Sequence, residues 1–358
     1  MESEAGDAFE HHENENEFDR LLIMILESVP TDGMSPVLLR EIQDFLDSQD
    51  TGHPFQFPEW AGSGSRVVLG RKDGRIYWVG TFGVQTPLGR TFPWLRALTA
   101  NRGPVCDDRL LWETAAEELA ESMREESYAF LDVLPEWIRQ ADGNHPSFAN
   151  NFDWHSIGEP RCSLRLELNA PEEEIFANFR KATRYEVRRA ERLGATVIAA
   201  SSDREIDEFL GIYQRMAMRK GFVPNPIDNL RRVIRWLIAS ESRGTLLIGC
   251  AGGVARGGAI IARSGRRCWY ILGANDREEG MTVGHILQWK AILWAKSHGC
   301  TEYDFGGYTP GATSGPAWFK EGFGGTIVGL VAPHRRMIER KRYNVFRVVS
   351  EISSWVRP

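Results

Sequence analysis

Cysteine is scarce in this chain, and its spacing excludes more than its number does. The five residues Cys106, Cys162, Cys250, Cys268 and Cys300 stand singly, with no CxxC pair. That pattern argues against a zinc cluster or a disulfide frame and predicts reduced thiols. No histidine pair has the spacing of a helical zinc site, and no P-loop, nucleophile elbow or Ser/His/Asp arrangement occurs. Chemistry by positioning, without a metal or a covalent intermediate, is therefore expected. No stretch approaches the roughly 18 apolar residues of a membrane span, and no heptad pattern interrupts the second half. Lysine and arginine are missing from residues 1–18, which also lack the apolar core of a secretion signal; the expected location is the cytoplasm. Instead Glu2, Glu4, Asp7, Glu10, Glu13, Glu15 and Glu17 make an acidic tail. These seven carboxylates exceed the formal net charge of −6, so the remaining chain is near +1.

What is present is a soluble globular composition: 358 residues, 42% hydrophobic and 26% charged, enough for about two domains. The stretch from Cys268 to Gly325 organises the rest. Cys268–Leu272 has the aromatic and β-branched content of a buried strand. Ile286, Leu287, Trp289, Ile292, Leu293 and Trp294 then recur at helical spacing, ending near His298-Gly299. A second strand, Thr301–Phe305, opens onto a glycine-rich loop and the segment Phe319-Lys320-Glu321-Gly322-Phe323-Gly324-Gly325. Strand ends that open onto a loop and helix are where α/β proteins place ligands.

Upstream, Asp19–Glu27 and Pro36–Leu46 are expected as short helices, Lys72-Asp73-Gly74 as a hairpin turn, Trp112–Glu126 as an amphipathic helix and Tyr128–Val133 as a strand. The polar stretch Asp142–Asn151 marks a boundary. Beyond it come a strand at Cys162–Leu168, helices over Pro171–Leu193 and Asp203–Lys220, and a hairpin around Ala251-Gly252-Gly253. The recurring order of elements suggests a diverged internal duplication. The resulting division is 1–50 acidic tail and short helices, 51–145 first domain, 155–335 second domain with the active cleft, and 336–358 basic C-terminal helix.

Four groups are candidates for function. Arg180, Arg184, Arg188 and Arg192 form a basic stripe at i, i+4 steps, beside Tyr185, that an anion would relieve of self-repulsion; a solvated helix face is the ordinary alternative. Lys320, between aromatic residues, can aim a compact charge at phosphate or carboxylate, or lie on a sheet edge. Asp304, at a strand end, either orients an amine or acts as a base, or caps its loop. The C-terminal segment Met337–Val356 is either a packed helix with solvated charges or an amphipathic helix resting on an anionic surface.

Taken in order, these residues resemble the FemABX aminoacyltransferases, which build peptidoglycan cross-bridges, and their GNAT-like relatives. The matching pieces include Phe179 to Gly194, Met218-Arg219-Lys220-Gly221-Phe222, Trp269 to Ala274, His285 to Ile292, Tyr303-Asp304-Phe305-Gly306-Gly307 and Phe319 to Gly325. In the first half they are Phe55 to Trp60 and Arg102 to Val105. The resemblance spans about residues 55 to 330 and implies an α+β fold of two tandem GNAT-like acyltransferase domains, mixed sheets flanked by helices. It implies an aminoacyltransferase that moves an amino acid from aminoacyl-tRNA to an amine of a peptidoglycan precursor, with no metal and no bound cofactor. It further implies that Lys320 attends the tRNA end or carbonyl and Tyr270 the acyl carbonyl or peptide. Arg219 would meet the precursor's phosphates and Asp108 would line the peptide channel, with Phe319, Arg184, Tyr185 and Arg188 as further substrate-binding residues. The alternative is an acyl-CoA-dependent N-acyltransferase acting on a small amine or amino sugar. Arg277-Glu278-Glu279-Gly280-Met281-Thr282 carries half of the pyrophosphate-loop pattern such enzymes use, with two glutamates that would repel a pyrophosphate.

Overall fold

The computed structural model describes residues 25–62, 64–106, 109–139, 154–240, 242–276, 282–311 and 315–356. It divides into two compact units. One comprises the described residues before Trp137 together with 154–159 and the tail from Ala332; the other runs Pro160–Val331, with Trp137–Arg139 attached.

The first unit contains β1 (Ile25–Pro30), α1 (Pro36–Ser48), β2 (Arg66–Lys72), β3 (Arg75–Gln85), β4 (Ala97–Asn101), β5 (Val105–Cys106), α2 (Arg109–Glu125), β6 (Phe130–Leu134) and β7 (Trp154–Ser156). Its sheet runs β1-β2-β3-β4-β6, then the late strand His334–Met337, then β7, with β5 beside β3. The β4–β6 pair is parallel. The β2–β3 hairpin turns where the Asp-Gly step predicts, with Asp73 and Gly74 both at positive φ. Ser35 caps α1 by accepting from the Leu38 N–H, and the helix buries Ile42, Phe45 and Leu46.

Two expectations change here. Residues 25–27, expected as the end of the helix Asp19–Glu27, instead begin the edge strand Ile25–Pro30, antiparallel to β2; residues before 25 lie outside the described set. A short apolar run fits either period, and the ladder to β2 decides for strand. The C-terminal segment, expected as a separate helix over 336–358, contributes both the strand His334–Met337 to this sheet and the helix Arg340–Val356. Tyr343, Val345 and Phe346 of that helix pack on Leu95, Ala97, Ala129 and Phe130. These three residues therefore serve the core of this unit. Among the described residues no helix is long and apolar enough to cross a membrane.

The second unit carries β8 (Cys162–Glu167), α3 (Glu172–Ala177), α4 (Lys181–Arg192), β9 (Thr196–Ala199), α5 (Asp203–Lys220), α6 (Ile227–Ala239), β10 (Gly244–Ala251), β11 (Val254–Ser264), β12 (Arg267–Asn275), α7 (Gly284–Ser297), β13 (Glu302–Tyr308), α8 (Gly315–Glu321) and β14 (Thr326–Gly329). The strand order is β14-β8-β13-β12-β11-β10-β9. Successive residues of a strand face opposite sides of the sheet. A β-carbon at Gly257 would press on Val283, which leads into α7, and one at Gly258 on Phe209 of α5. Helices α5 and α7 therefore cover opposite faces. The core on the α7 side joins Leu166, Ile175, Phe179 and Val187 to Ile286, Leu287, Ile292, Phe305 and Phe323.

What positions the site is the pair β12 and β13. They run parallel and pair only through Arg267↔Glu302, Cys268↔Tyr303 and Trp269↔Asp304. Each then breaks register with its outer neighbour: β12 against β11 at Ile260/Ile261, and β13 against β8 between Asp304 and Gly307. Paired irregularities at one level turn the two strands apart, and their carboxyl ends open as a wedge.

Candidate active site

The wedge is organised around Gly306 and Gly307. Gly306 holds φ +71°, a left-handed conformation that favours glycine, and its backbone N–H donates to Asp304 Oδ1 at 2.7 Å. Lys320 reaches over from α8, its Nζ donating to the Gly307 carbonyl at 2.6 Å. From the facing strand, the Tyr270 carbonyl lies 3.4 Å from where a Gly306 β-carbon would stand. Lys320, Asp304 and the Tyr270 backbone thus meet at one turn.

The geometry changes the role of Asp304. It is 1% exposed, opposite Arg165 in the β8–β13 ladder. Its carboxylate accepts from Arg165 Nε at 2.9 Å and from the Ser163 hydroxyl, besides Gly306 N–H. Arg165 is itself 4% exposed. A carboxylate held by three donors, one of them the buried Arg165 guanidinium, is placed as a strut that fixes the glycine turn, which favours the loop-capping alternative over a proton-accepting base.

Tyr270 is also committed inward. It packs against the core, and a β-carbon at Gly273 would overlap its hydroxyl. Burial pushes its phenol up to about 12, with a hydrogen bond to Gln288 acting weakly the other way. At neutral pH it is a phenol, never a phenolate base. Gln288, buried on α7, accepts the Tyr303 hydroxyl at 2.9 Å.

The other wall of the wedge joins the ends of β12, α7 and α8. Arg219, in the last turn of α5, donates to the Asn275 carbonyl at 2.8 Å. A β-carbon at Gly284, the first residue of α7, would sit 3.6 Å from Asn275 Nδ2 and 3.7 Å from the Phe319 ring. Phe319 is half-buried and lies 5.0 Å, centroid to centroid, from His285. Burial lowers the basicity of His285, and the carboxylate of Glu186 partly offsets this. His285 and Asn275 escape the sequence reading because a lone histidine and a strand-end amide carry no spacing signal. Ser163 and Arg165 escape it too, although their i, i+2 spacing places both on one face of β8.

The basic stripe divides in the structure. Arg180 pairs with Glu321 at 3.4 Å and stacks over the Trp318 ring at 3.6 Å. Arg184 donates to the carbonyls of Ala177, at 2.7 Å, and Phe179, tying α4 to the end of α3. Lys181, Arg184, Tyr185, Arg188 and Arg192 line a surface concavity of about 570 Å³ with Glu191. Asp108 and the half-pattern Arg277-x-x-Gly280 lie outside the described residues. Phe319 and Lys320, for which a sheet edge was the alternative, belong to the helix α8.

The family model "Acetyltransferase (GNAT) domain" matches residues 177–321. The chain is 25% identical over 236 residues to the UDP-N-acetylmuramoylpentapeptide-lysine N(6)-alanyltransferase of Weissella viridescens, covering 62% of this chain and 68% of that protein. It is 34% identical over 56 residues to the Lipid II:glycine glycyltransferase of Staphylococcus saprophyticus subsp. saprophyticus, 15% of this chain and 14% of that one. The crystal structure of FemX superposes with a TM-score of 0.72 at 16% identity, covering 89% of this chain and 99% of that one. The chain has the GNAT fold, with its parted strands inside the segment that the acetyltransferase model matches, and is similar in sequence to these two aminoacyltransferases and in fold to FemX.

Proposed function

We propose that this protein transfers an aminoacyl group from aminoacyl-tRNA to an amine of a peptidoglycan precursor, forming an amide. Its relatives are named for aminoacyl transfer to a muramoylpentapeptide lysine and to lipid II. The observation that supports the reading is that Lys320 and the Tyr270 carbonyl meet at the Gly306-Gly307 turn where β12 and β13 part, with Phe319 and Arg219 bordering the far end of β12.

In this reaction the neutral amine attacks the ester carbonyl, a C–N bond forms and the C–O bond to the ribose breaks. The proton passes from nitrogen to the departing hydroxyl. The protein's part is to orient both substrates and stabilise charge. Lys320, held at the wedge rim by the Gly307 carbonyl, supplies positive charge where the carbonyl oxygen becomes anionic. Tyr270 keeps the β12 backbone in place through Gln288 and Gly273, and Asp304 does the same for β13 through Arg165. Phe319 walls the cleft beside His285, and Arg219 offers a guanidinium to the precursor's phosphates.

The second reading, acyl-CoA-dependent N-acylation, is favoured by the acetyltransferase domain match. Purified protein assayed side by side with charged tRNAs and acyl-CoAs separates them. Label transfer from a charged tRNA to a muramoyl pentapeptide supports the first. Turnover with acyl-CoA alone, together with calorimetric CoA binding, replaces it with the second.

A further inference from the structure

We infer that the exposed face of α4, continued by Trp318 of α8, is a track for the single-stranded 3′ end of an RNA leading to Lys320. The inference rests on the donor reading above and names the surface that reading requires. Three observations carry it.

The first is continuity. Helix α4 begins against α8: Arg180 N–H donates to the Gly322 carbonyl at 2.8 Å, and the Arg180 side chain bridges Trp318 and Glu321. Trp318 shares α8 with Lys320, on a different face at i, i+2, so α8 is the element that joins the stripe to the wedge. From Lys181 to Arg192 it extends about 17 Å at 1.5 Å per residue.

The second is composition. The concavity combines four cations with one carboxylate, Glu191, and the aromatic rings beside it are presented outward. Tyr185 is 56% exposed and Trp318 is 47% exposed. Arg192 lies 6.0 Å from the Tyr185 ring, so a base stacked on that tyrosine would have a cation beside it. Cations alternating with exposed rings are the means by which proteins hold single strands, the charges following phosphates and the rings stacking bases.

The third is what the face lacks. A helix lying on a membrane turns aliphatic residues the same way as its cations, whereas Val187 and Ala190 of α4 are buried in the core. The rigid hold on Arg184 by two carbonyls also fixes one charge in advance, which lowers the cost of ordering it on a ligand.

The test uses the full chain and a labelled hairpin mimicking a tRNA acceptor arm with a single-stranded CCA end. Its affinity is measured by fluorescence anisotropy across a salt series. Two cations removed from a single-strand site lower the log K against log salt slope by about 1.4, which is roughly 25-fold in affinity at 0.1 M salt. R188E/R192E is expected to lose at least that much and R192E alone part of it, while R204E on α5, a single charge reversal matched to R192E at a side chain 87% exposed, keeps wild-type binding. Y185A is expected to weaken binding of the overhanging hairpin and leave a blunt one unchanged. Melting curves establish that each variant is folded, and R192E alone serves if R188E/R192E is not. Binding by R188E/R192E equal to the control overturns the track, as does a loss confined to anionic vesicles. Transfer assays on the same preparations separate the two claims. Wild-type transfer from charged tRNA with an unchanged KM in R188E/R192E removes the track and leaves the donor reading. A wild-type protein that neither binds the hairpin nor accepts charged tRNA removes both.

Discussion

Asp304 is the residue at which a chemical role and a structural role make opposite predictions. Replacing it by alanine leaves Arg165, 4% exposed, without the carboxylate that its Nε contacts at 2.9 Å. It also strips an acceptor from the Ser163 hydroxyl and the Gly306 N–H. Breaking a buried pair by removing one partner costs up to about 3–5 kcal/mol, because the remaining charge stays buried, here with Glu302 at 3.7 Å as its remaining carboxylate partner. For a unit of 150–250 residues each kcal/mol lowers the melting temperature by about 2–4 °C, so D304A should melt up to about 6–20 °C below wild type. Differential scanning calorimetry and transfer activity are measured on the same samples. The D304L/R165M pair, which replaces both charges by apolar groups of similar volume, should recover most of the lost stability. A D304A protein that melts with wild type yet has lost transfer would refute the strut and restore a proton-transfer role.

Other perturbations probe the walls of the wedge. Gly273→Ala drives a β-carbon into the Tyr270 hydroxyl and should cost about 1–3 kcal/mol, measured by urea unfolding, with Tyr270→Phe relieving part of it; an unaltered midpoint would contradict that packing. Tyr270 stays a phenol to about pH 12, so Tyr270→Phe should leave the pH dependence of kcat between 6 and 9 in place; a lost alkaline limb would contradict this. His285 has its basicity lowered by burial, so its folded pKa lies below the unfolded value near 6.5. Its contribution to stability is therefore present above about pH 6.5 and lost as pH falls through the folded pKa. His285→Phe should flatten the fall in melting temperature between pH 7 and 5, leaving the share due to His155, lowered mainly by burial in the other unit; an unchanged slope would count against it.

Much of the second unit is legible in the sequence because its signals are local. The helical recurrence from Ile286 to Trp294 gives α7, the glycines at 252 and 253 give the β10–β11 turn, and Tyr303-Asp304-Phe305 gives the strand that enters the wedge. The role of Asp304 is not legible, since Ser163 and Arg165 lie 141 and 139 residues away along the chain. Neither is the parting of β12 from β13, which arises from register breaks against two different neighbours. The stripe on α4 follows from i, i+4 spacing, yet spacing alone does not reveal that Arg180 and Arg184 are engaged by α8 and α3 while Arg188 and Arg192 face outward. The edge strand β1 is hidden for the same reason: only its partner β2 distinguishes it from a helix.

The measurement closest to the central claim is the intact mass of a muramoyl pentapeptide after incubation with charged tRNA and either wild-type protein or K320A. The account predicts a gain of one amino-acid residue through an alkali-stable amide with wild type, and a rate about 10²–10³-fold lower for K320A, the range for losing one charge-stabilising donor, at an unchanged melting temperature. No mass gain with any charged tRNA, or equal rates for the two proteins, would contradict it.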